Sequence, residues 1–377
     1  MITFFFDECI MIVMKVLIVF NHPAPYKVRL FNELAKYMDL EVIFEREKAS
    51  NRPDAFYNAK DFNFKYQILK HGAFGEENSF SGELKNIIKK RHHEFDLIIM
   101  NGYRIIAELR AIKYMNKHHI PFTLYINGGI IREKESFFKK RFKTKFISSA
   151  TNYFSPCEEA DEYLVHYGAN RNNIYHYVYS TVYEKDILDK PLNKSEKEKI
   201  RLEQGLPLNK LFISAGQFIK RKNNIQIIDC FQHIESSLLL VGEGKQLNLY
   251  NKFIKENNIK NIHILPFKKR ESLFELLKAS DGFITLSSED IYGHTINEAF
   301  SMGIPVLSSN KVVASRHLIK EGKNGYLVDL NNNGEIIYKI NHLVEDCSSQ
   351  EAILTAKENT IEKMVSSMVE IIKKVSK

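Results

Sequence analysis

The chain is poor in cysteine, and Cys9, Cys157, Cys230 and Cys347 lie far apart with no C-x-x-C spacing. That scarcity excludes a disulfide scaffold, argues against a structural zinc site of paired thiolates, and implies a reducing compartment. No run approaches the ~20 consecutive apolar residues that a membrane-spanning helix needs. The opening MITFFFDECIMIV is apolar but carries Asp7 and Glu8 and lacks a basic leader. It is a poor secretory signal and reads as an N-terminal extension over residues 1–13. No segment repeats at a fixed period. Zinc-finger spacing, aromatic RNA-binding signatures and basic low-complexity tails are missing, so only net charge hints at nucleic acid, and none is expected as a partner. There is no D-x-D, and His92-His93 and His118-His119 are adjacent rather than spaced as helical ligands. No metal and no cofactor are expected.

What is present points to a two-domain architecture. The 377 residues are 44% hydrophobic and 27% charged, which suits two domains with two cores. Lys and Arg outnumber Asp and Glu by 54 to 46, and the pI is about 9.0. That excess favours anionic partners such as nucleotides, phosphorylated lipids or an anionic membrane surface, although a Lys-, Asn- and Ile-rich composition also drifts basic without one.

Short apolar runs alternate with amphipathic stretches from end to end. The first series of strands is expected at Val16–Phe20, Val42–Phe44, Phe64–Leu69, Leu97–Met100, Phe122–Ile126 and Tyr153–Ser155. The second is expected at Leu211–Ala215, Ser237–Val241, Ile262–Leu265, Gly282–Leu286, Pro305–Leu307 and Gly325–Val328. Apolar strands separated by helices indicate parallel βαβ units covered on both faces. Two series predict two doubly wound α/β domains, over 14–183 and 208–350. The charged stretch 184–207 between them reads as a linker with one short exposed helix, and 351–377 as a C-terminal helix packing back toward the first domain.

The most informative segment is SSEDIYGHTINEAFSMGIP, Ser287–Pro305. A strand ends, a turn carries Asp290 and Gly293, and a helix begins near Thr295 with Glu298 in its first turns. Unpaired amides at that start suit an anion, Gly293 lets backbone approach a ligand, and both carboxylates can accept bonds from sugar hydroxyls. Gly216-Gln217-Phe218-Ile219-Lys220-Arg221-Lys222 adds amides and cations after the first strand of the second domain, and Val241-Gly242-Glu243-Gly244 adds a tight turn. Singly, each glycine turn is ordinary punctuation, Asp290 a turn carboxylate, Glu298 a first-turn acid and Lys222 a solvated lysine. The combination in this order is specific.

In these residues the chain resembles the retaining glycosyltransferases of family 4. Asp290 and Glu298 match the family's E-x7-E, Asn297–Val306 (NEAFSMGIPV) matches its flank, and Gly216, Gln217 and Lys222 match its phosphate motif. The resemblance implies the GT-B fold, two facing Rossmann-like domains with a cleft between them, and transfer of a sugar from a nucleotide diphosphate without metal. It implies that Glu298 holds the ribose, that Asp290 and the amides of Tyr292, Gly293, His294 and Thr295 hold the sugar and diphosphate, and that Lys222 neutralises the leaving diphosphate. Gly216, Gln217, Arg221 and Gly242 complete the donor side. Two departures stand out: Asp replaces the first Glu, and Gln217 replaces the usual Arg, which shifts charge stabilisation onto Lys222.

Three loops of the first domain, Asn21–Tyr26, Asn101–Arg104 and Asn127–Gly129, are placed to face the acceptor, with Tyr26, Arg29, Asn101 and Asn127 as candidate contacts. Asn127 can hydrogen-bond a sugar but cannot act as a base. The stretch Arg132–Lys145 holds seven basic and two acidic residues, and Phe138, Phe142 and Phe146 share one helical face. Such a helix either lies on an anionic membrane or packs those rings on its own sheet. The expected function is transfer from a UDP-sugar to a lipid-linked bacterial glycan, in the cytoplasm or peripherally on the inner membrane face. The alternatives are a nucleotide-sugar epimerase of the same architecture and a catalytically silent partner subunit.

Overall fold

The computed structural model describes residues 14–49, 56–57, 61–70, 82–132 and 134–376. The expected extension over 1–13, with Cys9, lies outside the described residues.

Two all-parallel sheets organise the chain. The first contains β1 (Lys15–Phe20), β2 (Asp39–Phe44), β3 (Lys65–Ile68), β4 (Leu97–Met100), β5 (Thr123–Tyr125), β6 (Asn152–Ser155) and β7 (Ile174–His176), in the order β3-β2-β1-β4-β5-β6-β7. The second contains β8 (Leu211–Ala215), β9 (Ser237–Val241), β10 (Ile262–Leu265), β11 (Gly282–Thr285), β12 (Val306–Ser309) and β13 (Gly325–Val328), in the order β10-β9-β8-β11-β12-β13. Val16–Phe20 and Leu238–Leu240 are buried throughout, as strands covered on both faces must be. β7 has no apolar run in the sequence because it is a half-exposed edge strand, Ile-Tyr-His.

Each sheet reverses its winding direction once, between β1 and β4 and between β8 and β11. Ligands of open α/β sheets bind outside the strand ends at such points. The loops that leave β8 and β11 are residues 216–223 and 286–294, the two segments that carry the sequence motif.

The linker is more firmly held than its composition suggests. Its helix α6 (Lys194–Glu203) buries Arg201, whose Nη2 lies 2.6 Å from Asp281 and whose Nε donates to the Ala279 carbonyl at 2.7 Å. After α12 (Asn333–Asp346) the chain ends in α13 (Ser349–Glu358) and α14 (Ile361–Val375). α14 packs on α1 (Pro25–Leu34) of the first domain, Ile361 N–H donates to Val182 O at 2.8 Å, and Val178 N–H donates to Ser367 Oγ at 3.1 Å. Its buried stripe runs through Met364, Met368 and Ile372; burying each such side chain stabilises by about 1.5–3 kcal/mol. One continuous core thereby links both domains through this helix.

The basic aromatic helix is α4 (Phe137–Ile147). Its rings do not share one environment: Phe146 is buried, while Phe137 and Phe138 are 70% and 80% exposed. The C-terminal end anchors to the sheet and the N-terminal end projects.

Candidate functional site

The loop after β8 is held by its neighbour. Gly216 N–H donates to Val241 O at 3.0 Å, Phe218 N–H to Glu243 O at 2.7 Å, and Gln246 N–H to Phe218 O at 2.9 Å. The approach is so close that a Cβ on Gly242 would sit 1.9 Å from Gly216 O, with φ there at +155°. The glycine turn after β9 therefore seats the 216–222 loop. That loop ends in a short turn, Lys220–Lys222, and Asn223 at φ +53° starts α7 (Asn224–Phe231).

Two loops are joined by charge. Lys222 Nζ lies 2.5 Å from Asp290 Oδ2, and Arg221 Nη1 lies 3.5 Å from the same oxygen. Arg221 also donates to Glu289 O at 3.1 Å, and Ser288 N–H donates to Arg221 O at 2.8 Å. Burial opposes ionisation of Asp290, but the field of Lys222 and Arg221 outweighs it and holds the carboxyl below its ordinary range. Gly216 and Gln217 open this same loop.

Glu298 has different company. It sits on α10 (Thr295–Ser301), with Oε1 3.5 Å from Thr181 Oγ1. Burial pushes its pKa up, while Arg270 and Arg29 pull it back. The two carboxylates of the motif thus have separate partners, Asp290 toward Lys222 and Glu298 toward Thr181, Arg270 and Arg29. Arg270, on α9 (Arg270–Ala279), lies 3.0 Å from Asp186 and stacks on Phe274. Among the described residues, Arg29 Nε and Arg270 Nε and Nη2 are buried without a hydrogen-bond partner. Arg29, expected among the acceptor contacts, lies in the electrostatic surroundings of Glu298.

An aromatic wall closes the remaining side. Tyr292 Oη donates to Tyr179 O at 2.8 Å, Tyr179 Oη is 3.3 Å from His294 Nε2, and the Tyr26 and His294 rings are 5.2 Å apart. Behind it Lys27 is fully buried, with Nζ donating to Asn127 Oδ1 at 2.9 Å and to Tyr125 Oη. Burial holds its pKa well below the ordinary lysine value. Asn127 is therefore oriented by Lys27, and Asn101 Nδ2 is committed to Tyr125 O at 3.2 Å. The domains touch where a Cβ on Gly128 would meet Ile291 O at 2.5 Å. Gly293, at φ +99°, packs against Val312, and Thr295 opens the helix beyond it.

Lys27, Thr181, Tyr179 and Arg270 were invisible as site residues in the sequence. None stands in a recognisable spacing, and topology alone brings them to the cleft. A separate cavity of about 430 Å³ lies between α9 and residues 204–207, and none of the residues above lines it.

Residues 196–360 match the family described as Glycosyl transferases group 1. The chain is 26% identical over 158 residues to N-acetyl-alpha-D-glucosaminyl L-malate synthase of Bacillus anthracis, covering 41% of each protein. It is 28% identical over 165 residues to the UDP-Gal:alpha-D-GlcNAc-diphosphoundecaprenol alpha-1,3-galactosyltransferase of Escherichia coli, again 41% of each. The matched segment thus spans about two-fifths of those relatives' length. In three dimensions the chain superposes on Anabaena Alr3699/HepE in complex with UDP and glucose with a TM-score of 0.76 at 16% identity, covering 96% of this chain and 100% of that one. The architecture is GT-B. No helix among the described residues is long and apolar enough to cross a membrane.

Proposed function

From the premise of a GT-B chain carrying a glycosyl transferases group 1 domain, we propose that it is a retaining, family 4 glycosyltransferase using a nucleotide-diphosphate sugar. The Lys222–Asp290 pair at the second domain's reversal point carries this reading. It puts a held cation beside a carboxylate, facing loops of the other domain across the cleft.

In this reading Glu298 accepts the ribose hydroxyls, and Asp290, with the amides of Tyr292–Thr295, holds the sugar. Lys222, backed by Arg221, offsets the negative charge that grows on the departing diphosphate. The bond from the anomeric carbon to the diphosphate breaks, and the acceptor oxygen bonds to the same face. The acceptor proton leaves on the diphosphate. No protein base is required, which fits an Asn at position 127 whose carbonyl oxygen already accepts from Lys27. The protein cations make a metal unnecessary for the transfer.

The donor base is assigned to uracil because UDP is named with the Anabaena neighbour and UDP-Gal with the Escherichia coli relative. The acceptor is assigned to a lipid-linked saccharide presented at an anionic membrane, which exposed Phe137 and Phe138 beside Lys139, Lys140 and Arg141 suit.

Thermal-shift screening of UDP, GDP, ADP and their sugars tests the reading. A ligand at a hundred times its Kd stabilises by about 2.7 kcal/mol, so UDP and one UDP-sugar are expected to raise the melting temperature. Absence of any response would overturn the donor assignment, and isomerisation of the sugar nucleotide without an acceptor would replace transfer by epimerisation.

A further inference from the structure

Away from the Lys222–Asp290 pair, three chemically different side chains converge across the domain boundary. Cys157 and Glu159 begin α5 (Glu158–His166) just beyond the end of β6, and His317 lies on α11 (Val313–Leu318) of the other domain. The Cys157 thiol, a Glu159 carboxylate oxygen and a His317 ring nitrogen all lie within 4.8 Å of one another. Glu159 Oε2 is 2.5 Å from His317 Nε2 yet buried without a hydrogen bond of proper geometry among the described residues. Its other oxygen is held by Arg316 Nε at 3.2 Å, which presents Oε2 toward the cysteine and histidine. The geometry points to a borderline-soft divalent cation such as Zn²⁺ as the ligand of Cys157, Glu159 and His317, clasping the first domain to the second.

The donor set is the argument. Thiolate, imidazole and carboxylate are the ligands that Zn²⁺ takes at about 2.0–2.3 Å, and three of them leave a fourth position for water. Bonds of that length separate tetrahedral ligand atoms by roughly 3.3–3.8 Å, so Glu159 and His317 need only swing apart by about 1 Å. Arg316 plays the part of an outer partner that fixes the ligating carboxylate. Binding replaces the Cys157 thiol proton with the metal and releases that proton to solvent.

The consequence reaches the cleft. α11 starts with Val313 N–H donating to Asp290 O at 3.2 Å and Ala314 N–H donating to Tyr292 O at 2.7 Å. Tying His317 to Cys157 therefore fixes, through one short helix, the turn that carries Asp290 against the first domain. The ion is a clasp on domain closure and takes no part in moving the sugar.

Titration of the untagged full-length protein with Co²⁺ alone tests the site. The expected result is one ion per chain, with a thiolate-to-cobalt charge-transfer band and the intense visible absorption of a tetrahedral site. Zn²⁺ should displace it and raise the melting temperature. Cys157→Ser should abolish the charge-transfer band, and His317→Gln, at a partly exposed position, should weaken binding at least tenfold with the fold intact. Cys9→Ser and Cys230→Ser should leave the band unchanged. A protein that shows no band with excess Co²⁺, or that keeps it in Cys157→Ser, overturns the site.

Discussion

Lys222 and Asp290 stand 68 residues apart in sequence, yet their Nζ and Oδ2 atoms are 2.5 Å apart, tying the loop after β8 to the loop after β11. Both side chains are about 15% exposed, so neither charge is well solvated once its partner is gone. Removing one member leaves the other stranded, with Arg221 as partial compensation. Lys222→Ala and Asp290→Asn are expected to destabilise singly, and the double variant by less than their sum. The coupling should be about 1–3 kcal/mol by urea denaturation. Additivity within error would show that the pair does not hold the loops together. Since Asp290's carboxyl is depressed in the folded state, this contribution is present above its unfolded value near ~4 and fades as pH falls through the lower folded one.

Gly242 tests the seating of the 216–222 loop. Gly242→Ala forces a Cβ to within 1.9 Å of Gly216 O at a φ that alanine rarely adopts, so the backbone must shift. Gly322→Ala has a positive φ too, but no atom lies within 4 Å of its new Cβ. The first should cost at least 2 kcal/mol more than the second, whose penalty is about 1 kcal/mol. It should also reduce nucleotide affinity, which the second leaves alone. Chemical denaturation and nucleotide titration of both variants make the comparison.

Glu45 and Glu108 form a buried pair in the first domain whose carboxyls are both pushed above the ordinary range, chiefly by burial. An acid raised on folding favours the native state when protonated, so its contribution is complete below the unfolded value near ~4.3 and is lost as pH rises through the folded one. Glu45→Gln should remove that dependence. Its melting temperature should therefore gain on the parent as pH rises from 5 to 8. A gap that does not widen contradicts the raised carboxyls.

The fold was largely legible because buried parallel strands announce themselves as continuous apolar runs. Leu97–Met100, Leu211–Ala215, Ser237–Val241, Ile262–Leu265 and Gly325–Val328 begin and end where the sequence puts them. β7 escaped because an edge strand needs no such run. At the site, the glycine turns and the Asp290–Glu298 spacing were readable as local patterns. The different surroundings of the two carboxylates were not, since those of Glu298 depend on Thr181, Arg29 and Arg270 arriving from three other segments. For the same reason Cys157, Glu159 and His317 escape any reading of spacing, the last two standing 158 positions apart.

Metal removal separates the clasp from the transfer. If Lys222 and Arg221 supply the positive charge at the diphosphate as proposed, the protein treated with EDTA should keep sugar transfer within a few-fold. Loss of turnover restored by Mg²⁺ would show that the transfer itself needs a cation.

The projecting end of α4 predicts membrane binding. Co-sedimentation with vesicles containing anionic lipid should be strong and salt-sensitive, and weak with neutral vesicles, at roughly 1 kcal/mol for each basic residue near the surface. Phe137→Ser with Phe138→Ser should weaken it without lowering the melting temperature, because both rings are already exposed. Equal binding to neutral and anionic vesicles would contradict the assignment.

The central claim is that a nucleotide sugar is held between Glu298 and Lys222, and calorimetric titration of Glu298→Gln with the nucleotide that stabilises the parent tests it most directly. The substitution keeps size and removes the charge that accepts the ribose hydroxyls. Losing two charge-assisted bonds costs about 3 kcal/mol, so affinity should fall by about a hundredfold while circular dichroism stays unchanged. A folded Glu298→Gln protein that binds the nucleotide as tightly as the parent would contradict the account.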